Sequence, residues 1–130
     1  IGPGSTTASV TGRLGLKKSI LGVDLVRNGK LVAGDVDENG ILKEMGEENY
    51  IMVSPLGGMG SILGRGNQQI SPEVVRRTGK KRIIIVSTPT KLAQTETLVV
   101  DTGDPELDDE LRGFMRVIIS RHETKLAKIV

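Results

Sequence analysis

Two glycine-rich segments hold the groups in this chain best suited to gripping an anion. In Gly2-Pro3-Gly4-Ser5-Thr6-Thr7, glycines permit close backbone approach and hydroxyls follow at once. The spacing of Ala8, Val10 and Leu14 behind them predicts a short helix that ends at Gly15. Free amides and the positive end of the helix dipole at such a start make an anion site, so phosphate contact is expected from Gly2, Gly4, Ser5, Thr6 and Thr7. The plainer alternative is a helix capped by the hydroxyl of Ser5 or Thr6. The second segment, Ser54 to Pro72, sets five glycines between a strand-like run and a helix start. It reads as a ligand-holding loop, with backbone approach at Gly57, Gly58 and Gly60 and orienting hydrogen bonds from Arg65, Asn67 and Gln68. A bare surface loop is the alternative.

Carboxylates supply the other candidate chemistry. Asp101 stands at the tip of a strand expected over 97–100, where no helix needs it as a cap; it either holds a ribose hydroxyl or a metal-bound water, or is a satisfied turn carboxylate. Asp35 and Asp37 fall in an acidic run before a weak helix expected over 39–45. They serve either as base or metal ligand, or as a cap and a solvated face. Asp104 reads as an N-cap with Pro105 in the first turn. The one histidine, His122, belongs to a hairpin tip, and neither a Ser/His/Asp set nor an HExxH spacing can be assembled. Without cysteine there are no disulfides or thiolate metal sites, and no metal site is expected. Tyr50 and Phe114 are the only aromatic residues, so a nucleic acid lacks stacking platforms and is not the expected partner. Any nucleotide must be held by amides, polar side chains and aliphatic walls.

The elements that must position these groups alternate between strand and helix. Ser19 to Val26 reads as a buried strand, Arg27 to Lys30 as a turn and Leu31 to Ala33 as a short return strand. Tyr50 to Ser54 forms a strand feeding the central loop. Ser71-Pro72-Glu73 opens a helix that runs to Gly79, with Ile70 packing on Val75. Ile83 to Val86, four aliphatics in succession, predicts a central strand buried on both faces. Lys91 follows it at the end where ligands collect in open α/β sheets. The basic run Arg76 to Arg82 falls at the opposite edge, so in place of contact with polyphosphate or nucleic acid it reads as complementing a helix dipole on the surface or touching a missing domain. Phe114 to Ser120 and Lys125 to Val130 form a terminal hairpin. The expected fold is α/β: a layered, largely parallel sheet with flanking helices and a C-terminal hairpin, in a single domain over 1–130. The balance of 37% hydrophobic and 26% charged residues, with no long apolar run, predicts a cytoplasmic protein that does not enter membranes. A homo-oligomer is expected.

GPGSTT, ILGVDLVRNGKLVAGDVDENG, SPLGGMGSILGRGNQQISPEVVR and VDTGDPELDDELRGFMRVI together resemble the C-terminal part of the ATP-NAD kinase-like family of archaea and bacteria. The resemblance spans nearly the whole chain. It implies transfer of phosphate from ATP or polyphosphate to NAD, with Mg²⁺ as a candidate companion. It also implies an upstream domain bearing a GGDGT signature, which these residues do not contain. With no initial Met, the chain reads as a C-terminal fragment, inactive alone. Gly4, Ser5 and Thr6 are similar to the GST of the GSTAY motif at the dinucleotide site, while Thr7 and Ala8 stand where that motif has alanine and tyrosine. A β-rich domain, as in true NAD kinases, is the structural alternative. A non-catalytic sensor of a phosphorylated metabolite is the functional one. The loops also resemble sugar-phosphate isomerases of the ribose-5-phosphate type, but Pro55, Leu56, Arg65 and Gly66 stand where those enzymes place a lysine and a glutamate.

Overall fold

The computed structural model describes residues 1–95 and 97–130. The aliphatic runs form the framework, since each places branched side chains on a pleated surface. Strands β3 (Ile51–Val53), β5 (Ile83–Val86), β7 (Gly113–Ile118) and β8 (Thr124–Ile129) make a four-stranded sheet in the order β3-β5-β7-β8. The first three are parallel and the β7–β8 hairpin is antiparallel. Ile83 to Val86 is therefore an interior strand, as its composition predicts. A second pair, β4 (Ser61–Leu63) and β6 (Val99–Val100), is parallel and joins the main sheet where Leu98 bridges Ile129. Because β6 follows β8, this pair runs against β3, β5 and β7. A separate hairpin, β1 (Leu25–Arg27) with β2 (Lys30–Ala33), completes the strands.

Among the described residues five α-helices connect them. Helix α1 spans Ser5–Arg13, α2 Glu38–Glu44, α3 Pro72–Thr78, α4 Pro89–Ala93 and α5 Pro105–Leu111. Four begin at a side-chain cap: Asp37 accepts from Gly40 N, Ser71 from Val74 N, Thr88 from Lys91 N, and Asp104 from Glu106 N and Leu107 N. Helix α1 ends as its glycine predicts. Gly15 takes φ 74°, its N–H reaches Gly12 O and that of Leu16 reaches Thr11 O. Val53, Ile62, Leu63, Val75, Ile85, Leu98, Val117 and Ile129, each at most 1% exposed, belong to one core shared by both sheets and α3. Ile70, Val74 and Val75 are buried in it together.

Two expectations fail. Ser19 to Val26 is not one buried strand, because Asp24 in its middle is fully buried and needs donors that an extended strand would not supply. The chain curls there instead, leaving Leu21 87% exposed. The central loop in turn contains a strand. Ser61, Ile62 and Leu63 are all buried, paired with β6 and sealed by a reciprocal Leu56–Ser61 bridge.

Candidate functional site

The first loop is built from its backbone outward. Gly2 N–H donates to Met52 O at 2.8 Å, which lays the segment along β3. Gly4 N–H donates to Ile20 O at 2.8 Å. Gly4 takes φ 118° and ψ 162°, a conformation closed to residues with a side chain, and from it the chain enters α1. No side chain caps α1, so the expected hydroxyl cap is absent. Ser5 is exposed and Thr6 half-buried, and among the described residues the amides of the first turn beyond Gly4 have no acceptor. Thr7 turns inward instead, donating to Gly2 O at 2.8 Å and Gly4 O at 3.1 Å. Its hydroxyl shapes the loop and is not presented to a ligand.

The second loop meets the first across Leu56. A Cβ on Gly4 would come within 3.3 Å of Leu56 Cδ2, and one on Gly66 within 3.0 Å of Leu56 Cδ1. Leu56 is thus held between the two loops and opens the Gly57–Gly60 turn. Gly57 and Gly58 are exposed there, whereas Gly60 is buried against Thr95 and Thr97. At Gly64, φ 108°, a Cβ would fall on the Asp101 carbonyl oxygen. This glycine lets two backbones touch. Asn67, 1% exposed, accepts from Gly64 N at 2.9 Å and donates to Ile62 O at 3.0 Å. Those bonds fix the loop from within. Arg65 and Gln68 are exposed, and Arg65 Nε stands 3.8 Å from Asp101 Oδ2 with both side chains more than half exposed. Ser54, where β3 runs out, has a buried hydroxyl with no hydrogen-bond partner among the described residues.

Gly4, which leads into Ser5 and Thr6, and Gly66 therefore lie on the two sides of Leu56, and Arg65 faces Asp101. Asp35 and Asp37 are used elsewhere: Asp37 caps α2, and Asp35, at φ 49°, donates its N–H to Asp24 Oδ1 at 2.7 Å. Among the described residues no three His, Asp or Glu side chains are grouped to hold a metal. Lys91 lies half-buried on α4, and burial lowers the pKa of its ammonium. The basic run is mostly exposed, and several of its residues pair within the chain. Arg76 pairs with Asp104 at 3.0 Å and Glu110 at 3.5 Å, Arg77 with Glu73, and Arg82 lies over the Tyr50 ring. His122 is exposed at the hairpin tip.

Sequence reasoning passed over Lys18 and Asp24. Lys18 Nζ donates to Ser19 O at 2.7 Å and Gly22 O at 2.8 Å, and stands 3.7 Å from Asp24 Oδ2, each side chain 1% exposed. Asp24 also accepts from Ser19 N, Ser19 Oγ and Asp35 N at 2.6, 2.7 and 2.7 Å. Burial alone would raise its carboxyl pKa, but these bonds and the Lys18 charge bring it below the ordinary value. For Lys18 burial dominates and lowers the ammonium, with Asp24 opposing. One local signal was present, an acid inside an apolar run.

Residues 1–129 match the model of the ATP-NAD kinase C-terminal domain family, and the chain belongs to that family. No curated protein and no solved structure matches it. No helix among the described residues is long and apolar enough to cross a membrane.

Proposed function

We propose that this member of the ATP-NAD kinase C-terminal domain family is the nucleotide-holding portion of an NAD kinase-like phosphotransferase, with NAD as the acceptor and ATP or polyphosphate as the donor. One observation carries the reading: among the described residues α1 is the one α-helix that starts without a side-chain cap, and it lies beside the loop that carries Arg65. Amides left without an acceptor among the described residues can donate to an anion, and phosphoryl transfer asks mainly for positioning and charge neutralisation. The pyrophosphate of the dinucleotide lies at Gly4, Ser5 and Thr6, the guanidinium of Arg65 reaches a phosphate, and Gln68 adds a hydrogen bond. Asp101, loosely paired with Arg65, accepts from a ribose hydroxyl. Gly57 and Gly58 supply the exposed amides of the neighbouring turn. Mg²⁺, where it takes part, is bound largely through the phosphates of the donor. The donor side is supplied by an upstream GGDGT-bearing domain.

Calorimetric titration of the chain with NAD tests the reading. The wild type is expected to bind, and Arg65→Ala to weaken binding about tenfold. A folded wild type that takes no NAD refutes it. Turnover is tested with the upstream domain joined, by following NADP formation; binding without turnover would favour the sensor.

A further inference from the structure

Two large aliphatic side chains stand in water beside the start of α1. Ile20 is 62% and Leu21 87% exposed, yet their loop is closed around a buried ion pair. The Lys18 ammonium sits inside it on the carbonyls of Ser19 and Gly22, with Asp24 tying in Ser19 and Asp35. Gly22 has no room for a side chain, since a Cβ would fall on the Asp35 carboxylate and the Ser19 hydroxyl. Burying an ion pair is costly, and a loop free to move would need none of this. What the arrangement fixes is the backbone that carries Ile20 and Leu21. The same loop is joined to the phosphate loop by the bond from Gly4 N–H to Ile20 O.

We infer that Ile20 and Leu21 form a rigid aliphatic wall for a planar heteroaromatic ring of the dinucleotide whose pyrophosphate lies at α1. The inference rests on the reading in the preceding subsection and adds the element that selects for the ring. Neither aromatic residue can take that part. Tyr50 lies under Arg82 before β3, and Phe114 stands exposed on the β7–β8 hairpin. Flat apolar contact must come from aliphatic carbons held still, because a wall that had to be ordered on binding would lose much of its gain to entropy.

The test titrates the wild type, Leu21→Ser and Leu21→Phe with NAD and, separately, with inorganic pyrophosphate, following the amide resonances of Gly4 to Thr6. Leu21 is mostly in water, so its substitution leaves the fold intact. Leu21→Ser is expected to weaken NAD about tenfold and leave pyrophosphate unchanged, and Leu21→Phe to match or exceed the wild type for NAD. Equal NAD affinity for Leu21→Ser and wild type overturns the inference, as does an equal loss for pyrophosphate. In both cases the wild type still binds NAD and the proposed function stands. A wild type that binds pyrophosphate but not NAD overturns both, and one that binds neither removes the anion site itself.

Discussion

Replacing Asp24 with asparagine should cost more stability than replacing Lys18 with methionine, although the two side chains are partners. After Lys18→Met, the carboxylate keeps three donors at 2.6 to 2.7 Å and stays satisfied. The carbonyls of Ser19 and Gly22 lose their donor, at about 1–3 kcal/mol for a buried group left unpaired, offset by removal of a buried cation. A net loss of about 2 kcal/mol is expected. After Asp24→Asn, the ammonium stays buried without its counter-charge, and the new amide turns a donor toward Ser19 or Asp35. Breaking a buried pair in this way costs about 3–5 kcal/mol. In urea, with a slope of about 1.5 kcal/mol per molar, the midpoint should fall by about 2–3 M for Asp24→Asn and by about half as much for Lys18→Met. The pH dependence supplies a second reading. The Asp24 carboxyl is depressed in the folded state, so its contribution is complete above its unfolded value of 3.8 and is lost as pH falls through the lower folded value. Asp24→Asn should flatten that acid limb, while Lys18→Met should retain most of it. A larger loss for Lys18→Met, or losses below about 1 kcal/mol for both, would refute the argument that the pair organises this loop.

Two further outcomes follow from other bonds. Asn67→Ala removes one acceptor and one donor from a fully buried site, so a loss of about 2–3 kcal/mol is expected by thermal or urea unfolding, with weaker NAD binding as the Gly64 to Asn67 loop loosens. Asp104→Ala removes the cap of α5, for about 1–2 kcal/mol, measured as a lower unfolding midpoint without loss of NAD affinity.

What the sequence discloses depends on how far away the physical cause lies. Ser71-Pro72 and Asp104-Pro105 state a cap and a first helical residue side by side, and both helices start there. The four aliphatics at Ile83 to Val86 declare an interior strand by composition alone. Ser61 to Leu63 could not be recognised so simply: three residues between glycines, whose parallel partners at Val99 and Val100 lie far along the chain. The anion-loop reading of Gly4, Ser5 and Thr6 came from local order, yet Thr7, read alike, turns inward because it is fully buried against the loop carbonyls. Asn67 shows the same limit. Its type suggests ligand recognition, and only the fold reveals that its amide is occupied by Gly64 and Ile62. Of Lys17 and Lys18, nothing local says which one is folded inward.

The bridge between Leu98 and Ile129 bears on how the protein is made. Strand β6, and through it β4 with the Arg65 loop, is attached to the main sheet by bonds of Leu98 and Val100 to Lys128 and Val130. During vectorial synthesis, the first loop, Leu56 and the Arg65 loop leave the ribosome long before β8 does. Until that strand emerges, β4 and β6 have no edge to dock on, and their buried faces stay open to other chains. Assembly of the loops around Leu56 and Arg65 therefore waits for a strand made at the far end of the chain.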